Sequence, residues 1–161
     1  MKSVLISIQP IWCELIASGK KTVEVRKTRP KIDTPFKCYI YCTKDKHGWF
    51  DFLKKERLDG KVIGEFVCDA IVADKTFGHD TLFKTSACMS DADIAAYCLN
   101  KEMYGWHISD IVIYDEPKEL SEFRKYIQFL DNIRTEELEA EGVTGLRIKR
   151  PPQSWCYVEE I

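Results

Sequence analysis

Residues 4–27 constrain the fold of this chain more than any other stretch. Val4-Leu5-Ile6-Ser7-Ile8 is short, apolar and rich in β-branched residues, the pattern of a buried strand. Pro10 suits the first turn of a helix, and the next residues place Ile11 with Leu15 and Trp12 with Ile16 at i,i+4 spacing. Gly19 stands where a left-handed residue ends such a helix. From Lys20 to Lys27 the period changes to two, with Val23 and Val25 on one face and Thr22, Glu24 and Arg26 on the other. Strand, one-sided helix, glycine stop and second strand follow in close succession.

The remaining elements are spaced less regularly. A loop bounded by Pro30 and Pro35 leads to a third strand at residues 36–42, and a lysine-rich segment over 43–60 carries Trp49 and Phe50 and ends in the turn signal Asp59-Gly60. Residues 61–72 form the longest strand candidate, with Gly64 as a bulge or bend. Ser90-Asp91-Ala92-Asp93 reads as a helix N-terminus, and residues 107–114 as another strand. Pro117 predicts the start of a helix with Leu120, Phe123, Ile127 and Leu130 as its apolar stripe, packed on the sheet or, as the alternative, at a dimer interface. A short acidic helix over 135–141 stops at Gly142, and a last strand covers 154–159. The total is about six strands without regular βαβ alternation, so the expected class is α+β on a small mixed or barrel-like sheet.

A chain of 161 residues fits one domain with a sizeable core. No apolar run approaches a membrane span and no signal peptide is evident, which points to a soluble cytoplasmic protein. The net charge of −2 hides an asymmetry: residues 1–61 hold 14 Lys/Arg against 7 Asp/Glu, and residues 62–161 hold 10 against 19. A basic surface is therefore compatible with a near-neutral chain, unless the two halves interleave. The 7 cysteines form no CxxC pair and sit mostly in apolar segments, as reduced buried residues do. Cys38, Cys42 and His47 lack a fourth ligand at a known spacing, so no metal and no cofactor is expected. His47, His79 and His107 read as surface or structural residues, and no nucleophile triad or phosphate-loop motif is present.

Lys21, Glu24 and Arg26 are the residues most suited to chemistry. Lysine and arginine can hold phosphate, while Glu24 can accept a base amine or act as a general base. The same window also reads as a solvated strand face with a cross-strand ion pair worth about 0.2–1 kcal/mol.

Gly19-x-Lys21-x-x-Glu24-x-Arg26, after its strand and helix, resembles the signature of ASCH-domain proteins of the PUA-like superfamily. Ile6-Ser7-Ile8-Gln9-Pro10, Leu15-Ile16-Ala17-Ser18 and Gly60-Lys61-Val62-Ile63-Gly64-Glu65-Phe66 are similar to further parts of that family. His107-Ile108-Ser109-Asp110, Pro117-Lys118-Glu119-Leu120 and residues 151–158 resemble a subgroup of small bacterial and phage-type members. The resemblance implies one domain over 1–161, a PUA-like small mixed β-barrel with short flanking helices, with 124–148 as a partly helical insertion. It also implies a cleft onto which Lys21, Glu24 and Arg26 project.

The family resemblance further implies binding of RNA or of a modified nucleobase. One branch hydrolyses the acetyl amide of acylated cytidines, using a lysine that matches Lys21 and a threonine nucleophile where this chain has Glu24. A carboxylate does not replace that nucleophile but can activate water. The expected function is thus a nucleic-acid-binding module with RNA, a nucleotide or a nucleoside as partner. The alternative is a hydrolase of a modified nucleoside or of RNA, with Lys21 and Glu24 as its catalytic pair. Lys20, Lys21, Glu24, Arg26 and Lys27 form the expected binding set, joined by Trp49, Arg150 and Trp155. Trp12, Tyr39 and Tyr41 read more readily as core.

Overall fold

The computed structural model describes residues 1–45, 58–74, 81–98, 101–127 and 135–161. Its six strands are β1 (Lys2–Ile8), β2 (Val23–Arg26), β3 (Phe36–Cys42), β4 (Val62–Asp74), β5 (Met103–Lys118) and β6 (Trp155–Glu159). Four short helices accompany them: α1 (Pro10–Ala17), α2 (Thr81–Ala87), α3 (Asp91–Cys98) and α4 (Thr135–Ala140). No described helix is long and apolar enough to cross a membrane.

The strands form one mixed sheet in the order β2-β5-β4-β3-β1-β6. β1 runs parallel to β3, and the other neighbours are antiparallel. The apolar run of β1 has a simple cause: both of its faces are covered. Val4, Ile6 and Ile8 enter a core with Cys38, Ile40, Phe66 and Trp106, closed by Cys13 and Ile16 of α1. On the other face Leu5 joins Tyr39, Tyr41, Phe123, Ile148 and Val158.

The expected barrel is not closed by hydrogen bonds among the described residues, since β2 and β6 remain the edges of the sheet. The sheet is nevertheless rolled. Arg26 of β2 donates from Nη2 to the Ser7 carbonyl of β1 at 2.6 Å, although three strands separate β2 from β1 in the sheet order. Gly64 allows a close backbone approach between β4 and β5. A Cβ there would lie 2.3 Å from the Val112 carbonyl oxygen, at a point where the β4–β5 register shifts.

The helix expected after Pro117 does not form over the described part of that stretch. β5 continues to Lys118, a single 3-10 turn covers Leu120–Glu122, and the chain then extends. Arg124 pairs with Arg147 and Lys125 with Val158, while Ile148 N–H donates to the Phe123 carbonyl at 2.8 Å. Phe123 is fully buried, with its ring edge-on to Tyr39 at 5.0 Å. The apolar residues are thus buried by cross-chain pairing, which outweighs a helical pattern read from sequence. Trp49, Phe50, His47, His79 and Leu130 lie outside the described residues.

Residues 135–148 are tied to the sheet by charge. Arg124 meets Glu136 at 3.1 Å and Glu139 at 3.0 Å, and Arg147 also reaches Glu139 at 3.0 Å. Arg147 is therefore drawn into an ion-pair network.

Candidate functional site

The site is built by the end of α1 and the strand that follows it. Gly19 adopts φ +72, so the chain reverses while the Lys20 and Lys21 N–H groups both donate to the Leu15 carbonyl, at 2.9 and 3.0 Å. Lys21 thus sits in the turn rather than on β2. Thr22 N–H then bonds to the Ser86 carbonyl at 2.9 Å, and β2 pairs with β5 with Glu24 opposite Trp106. α2 and α3 pack on the valine face of β2, where Ala87, Ile94 and Tyr97 cluster with Val23 and Val25, while Glu24 on the polar face stands opposite the core residue Trp106.

That face is not solvated. Lys21, Glu24 and Arg26 are only 3%, 5% and 8% exposed. Glu24 lies between the two cations, its Oε1 2.9 Å from Arg26 Nη2 and its Oε2 3.5 Å from Lys21 Nζ. Lys21 also donates to the Ala87 carbonyl at 2.6 Å, at the electronegative end of α2, and its ammonium lies 4.9 Å from the centre of the Trp12 ring. Arg26 Nε is buried without a hydrogen-bond partner among the described residues.

The three side chains line a cleft of about 310 Å³. Ser7, Gln9 and Trp12 form one wall; Met89, Asp93, Ala96 and Tyr97 form the other. The volume is at the lower end of the roughly 300–1,000 Å³ of small-molecule sites. Asp93 is exposed at the rim and accepts the Ser90 N–H at 2.9 Å and the Ser90 hydroxyl at 2.6 Å. This capping pair starts α3 and so sets the second wall.

Of the other residues expected to bind, Lys20 and Lys27 are exposed, and Lys27 Nζ lies 4.8 Å from the centre of the Tyr97 ring. Arg150 is exposed and does not line the cleft. Trp155 packs against Trp106 and Tyr157, with its Nε1–H donating to Thr28 Oγ1 at 3.0 Å, and it does not line the cleft either. Tyr39 and Tyr41 are core residues, whereas Trp12 is a cleft wall. The contribution of Met89, Asp93 and Tyr97 was missed from sequence. Their i,i+4 spacing was the available signal, but nothing local says that this stripe docks over β2. Among the described residues no three His, Cys, Asp or Glu side chains are grouped so as to hold a metal ion.

Burial holds the Lys21 ammonium below its usual pKa of 10.5, with Glu24 opposing the shift. The charged form is thus less favoured folded than unfolded. Its burial lowers stability at neutral pH, and this penalty fades as pH rises through the folded pKa towards 10.5. An NMR titration of the Lys21 Cε and Nζ signals is expected to give a midpoint below 10.5. Glu24→Gln is expected to move it further down, because the carboxylate is what favours the ammonium. An unchanged midpoint in that variant would show that the pair is not coupled.

No family model matches the sequence, and no curated protein sequence matches it. Solved structures do. The ASCH protein from Zymomonas mobilis matches with a TM-score of 0.63 at 23% identity, covering 98% of this chain and 88% of its own. A single-site variant of that protein matches with a TM-score of 0.66 at 22% identity, covering 99% and 92%. A second variant gives 0.65 at 20% identity. The overlap is near-complete on both sides: this chain has the fold of the ASCH-domain proteins.

Proposed function

We propose that the chain is one ASCH-type nucleic-acid-binding module, cytoplasmic, which takes RNA, a nucleotide or a nucleoside into the cleft beside β2. One observation carries this reading: three charged residues, each more than nine-tenths buried, line a small cleft between Trp12 and Tyr97. Cations next to aromatic surfaces suit a base with its phosphate. Lys21 and Arg26 hold acceptor oxygens, Glu24 accepts an amine edge, and Lys20 and Lys27 draw in the backbone at the rim. Binding of single-stranded RNA and of nucleotides, followed by calorimetry, is expected to weaken as salt rises. Lys21→Ala is expected to cost about 1.5–3 kcal/mol, roughly ten- to hundredfold in affinity. If neither RNA nor nucleotides bind at millimolar concentration to the folded protein, the reading fails.

A second reading, a hydrolase of a modified nucleoside or of RNA, draws on the 3.5 Å approach of Lys21 Nζ to Glu24 and on the lowered pKa of Lys21. Here Glu24 takes a proton from water as it attacks an acyl or phosphoryl centre, and Lys21 stabilises the developing negative charge. The bond to the departing amine or ribose oxygen breaks as that atom takes the proton back from Glu24. Turnover of acylated cytidines or RNA that disappears in Glu24→Gln, with binding retained, selects this reading over a purely binding role.

A further inference from the structure

The nucleotide reading of the cleft leaves open which part of the ligand reaches its floor. We propose that the floor of the cleft binds a terminal phosphate, so that the ligand is a nucleotide or RNA end rather than an internal stretch of strand. The inference rests on the reading above and is decided by a count of donors and charges.

Lys21 Nζ directs its N–H groups to the Ala87 carbonyl at 2.6 Å and to Glu24 at 3.5 Å. Arg26 Nη2 is occupied by the Ser7 carbonyl at 2.6 Å and Glu24 at 2.9 Å. Arg26 Nε is buried without a partner, and Nη1 makes no hydrogen bond among the described residues. Glu24 is the single carboxylate between two cations, so the floor keeps an excess positive charge as well as unused donors. Asp93, the other acid lining the cleft, is exposed and committed to Ser90, where solvent screens it. Nε is closed even to water, so the guanidinium has to turn for a ligand oxygen to reach it, and pairing then removes the cost of a buried, unsatisfied donor. A phosphate brings acceptor oxygens and negative charge together.

Burial then decides between an end and a middle. Lys21 and Arg26 are 3% and 8% exposed within a cleft of about 310 Å³. An internal phosphodiester carries a nucleoside on each side, and both would have to share that space for its oxygens to reach the donors. A terminal phosphate carries one, which leaves through the mouth past Trp12 and Tyr97.

Calorimetry on the intact protein at fixed ionic strength tests this with a nucleoside, its 5′-monophosphate, a dinucleoside monophosphate lacking a terminal phosphate, and a 5′-phosphorylated RNA trimer. The monophosphate is expected to bind about tenfold or more tightly than the nucleoside and the dinucleoside. Inorganic phosphate alone is expected to displace it, and Arg26→Gln to shrink the preference towards unity. Should that variant fail to fold, the ligand series on the unaltered protein decides. A trimer that binds like the monophosphate supports an RNA end; one that does not supports a free nucleotide. Equal affinity for nucleoside and monophosphate, a dinucleoside as tight as the monophosphate, or no displacement by inorganic phosphate overturns the inference while the nucleobase reading stands. No binding by any of the series, the nucleoside included, defeats that reading itself.

Discussion

Glu24→Ala is expected to lower the unfolding free energy by about 3–5 kcal/mol, a large share of the stability of a domain this size. The substitution leaves Lys21 and Arg26 at 3% and 8% exposure without their shared counter-ion. The remaining partners, the Ala87 and Ser7 carbonyls, offer dipoles rather than a charge. An exposed pair would be worth about 0–1 kcal/mol, so the measured loss discriminates burial from a solvated face. Urea unfolding at pH 7, with the slope of the transition compared between variants, measures it. A loss under about 1 kcal/mol would mean that water reaches both cations, and the account of the site as a desolvated triad would fall.

The second large effect is at Trp106. Trp106→Ala is expected to cost about 3–5 kcal/mol, through lost burial and the cavity left behind. The side chain is fully buried and the largest in the core, with Phe36 edge-on at 5.9 Å and Trp155 also at 5.9 Å. It stands opposite Glu24 in the β2–β5 register, so the cavity opens next to the cleft floor. Trp106→Phe is the informative control. The indole Nε1–H has no partner among the described residues, so phenylalanine removes an unsatisfied donor along with some volume. A loss below about 1.5 kcal/mol is expected for it. If phenylalanine costs as much as alanine, the indole nitrogen has a role that its surroundings do not reveal.

Much of the fold was legible from residue order. β1, α1, the Gly19 turn, β3, the irregularity at Gly64 and β6 follow from patterns within one element each. The stretch after Pro117 was not legible in this way. Leu120, Phe123 and Ile127 have helical spacing, yet a 3-10 turn leaves Leu120 partly buried and an extended segment buries Phe123. Spacing records that residues need burial, but not which distant strand supplies it. Pairing with Arg147 and Val158 supplied it here.

The site divides along the same line. By itself the sequence determined that Lys21, Glu24 and Arg26 follow a glycine-ended helix, with Glu24 and Arg26 on one side of β2. Those outcomes depend on the positive φ of Gly19 and on the two-residue period of a strand, both of which are local. Only the tertiary structure decided that this polar side is buried. The carbonyl of Ala87 and the ring of Tyr97 come from helices more than sixty residues further along the chain. A strand of alternating valines and charges looks the same in sequence whether its charges face water or one another. Which of the two holds depends on what packs against it, and here Ser7, Trp12 and Trp106 cover the charged side while α2 and α3, seated on Val23 and Val25, close the edge of a desolvated cleft.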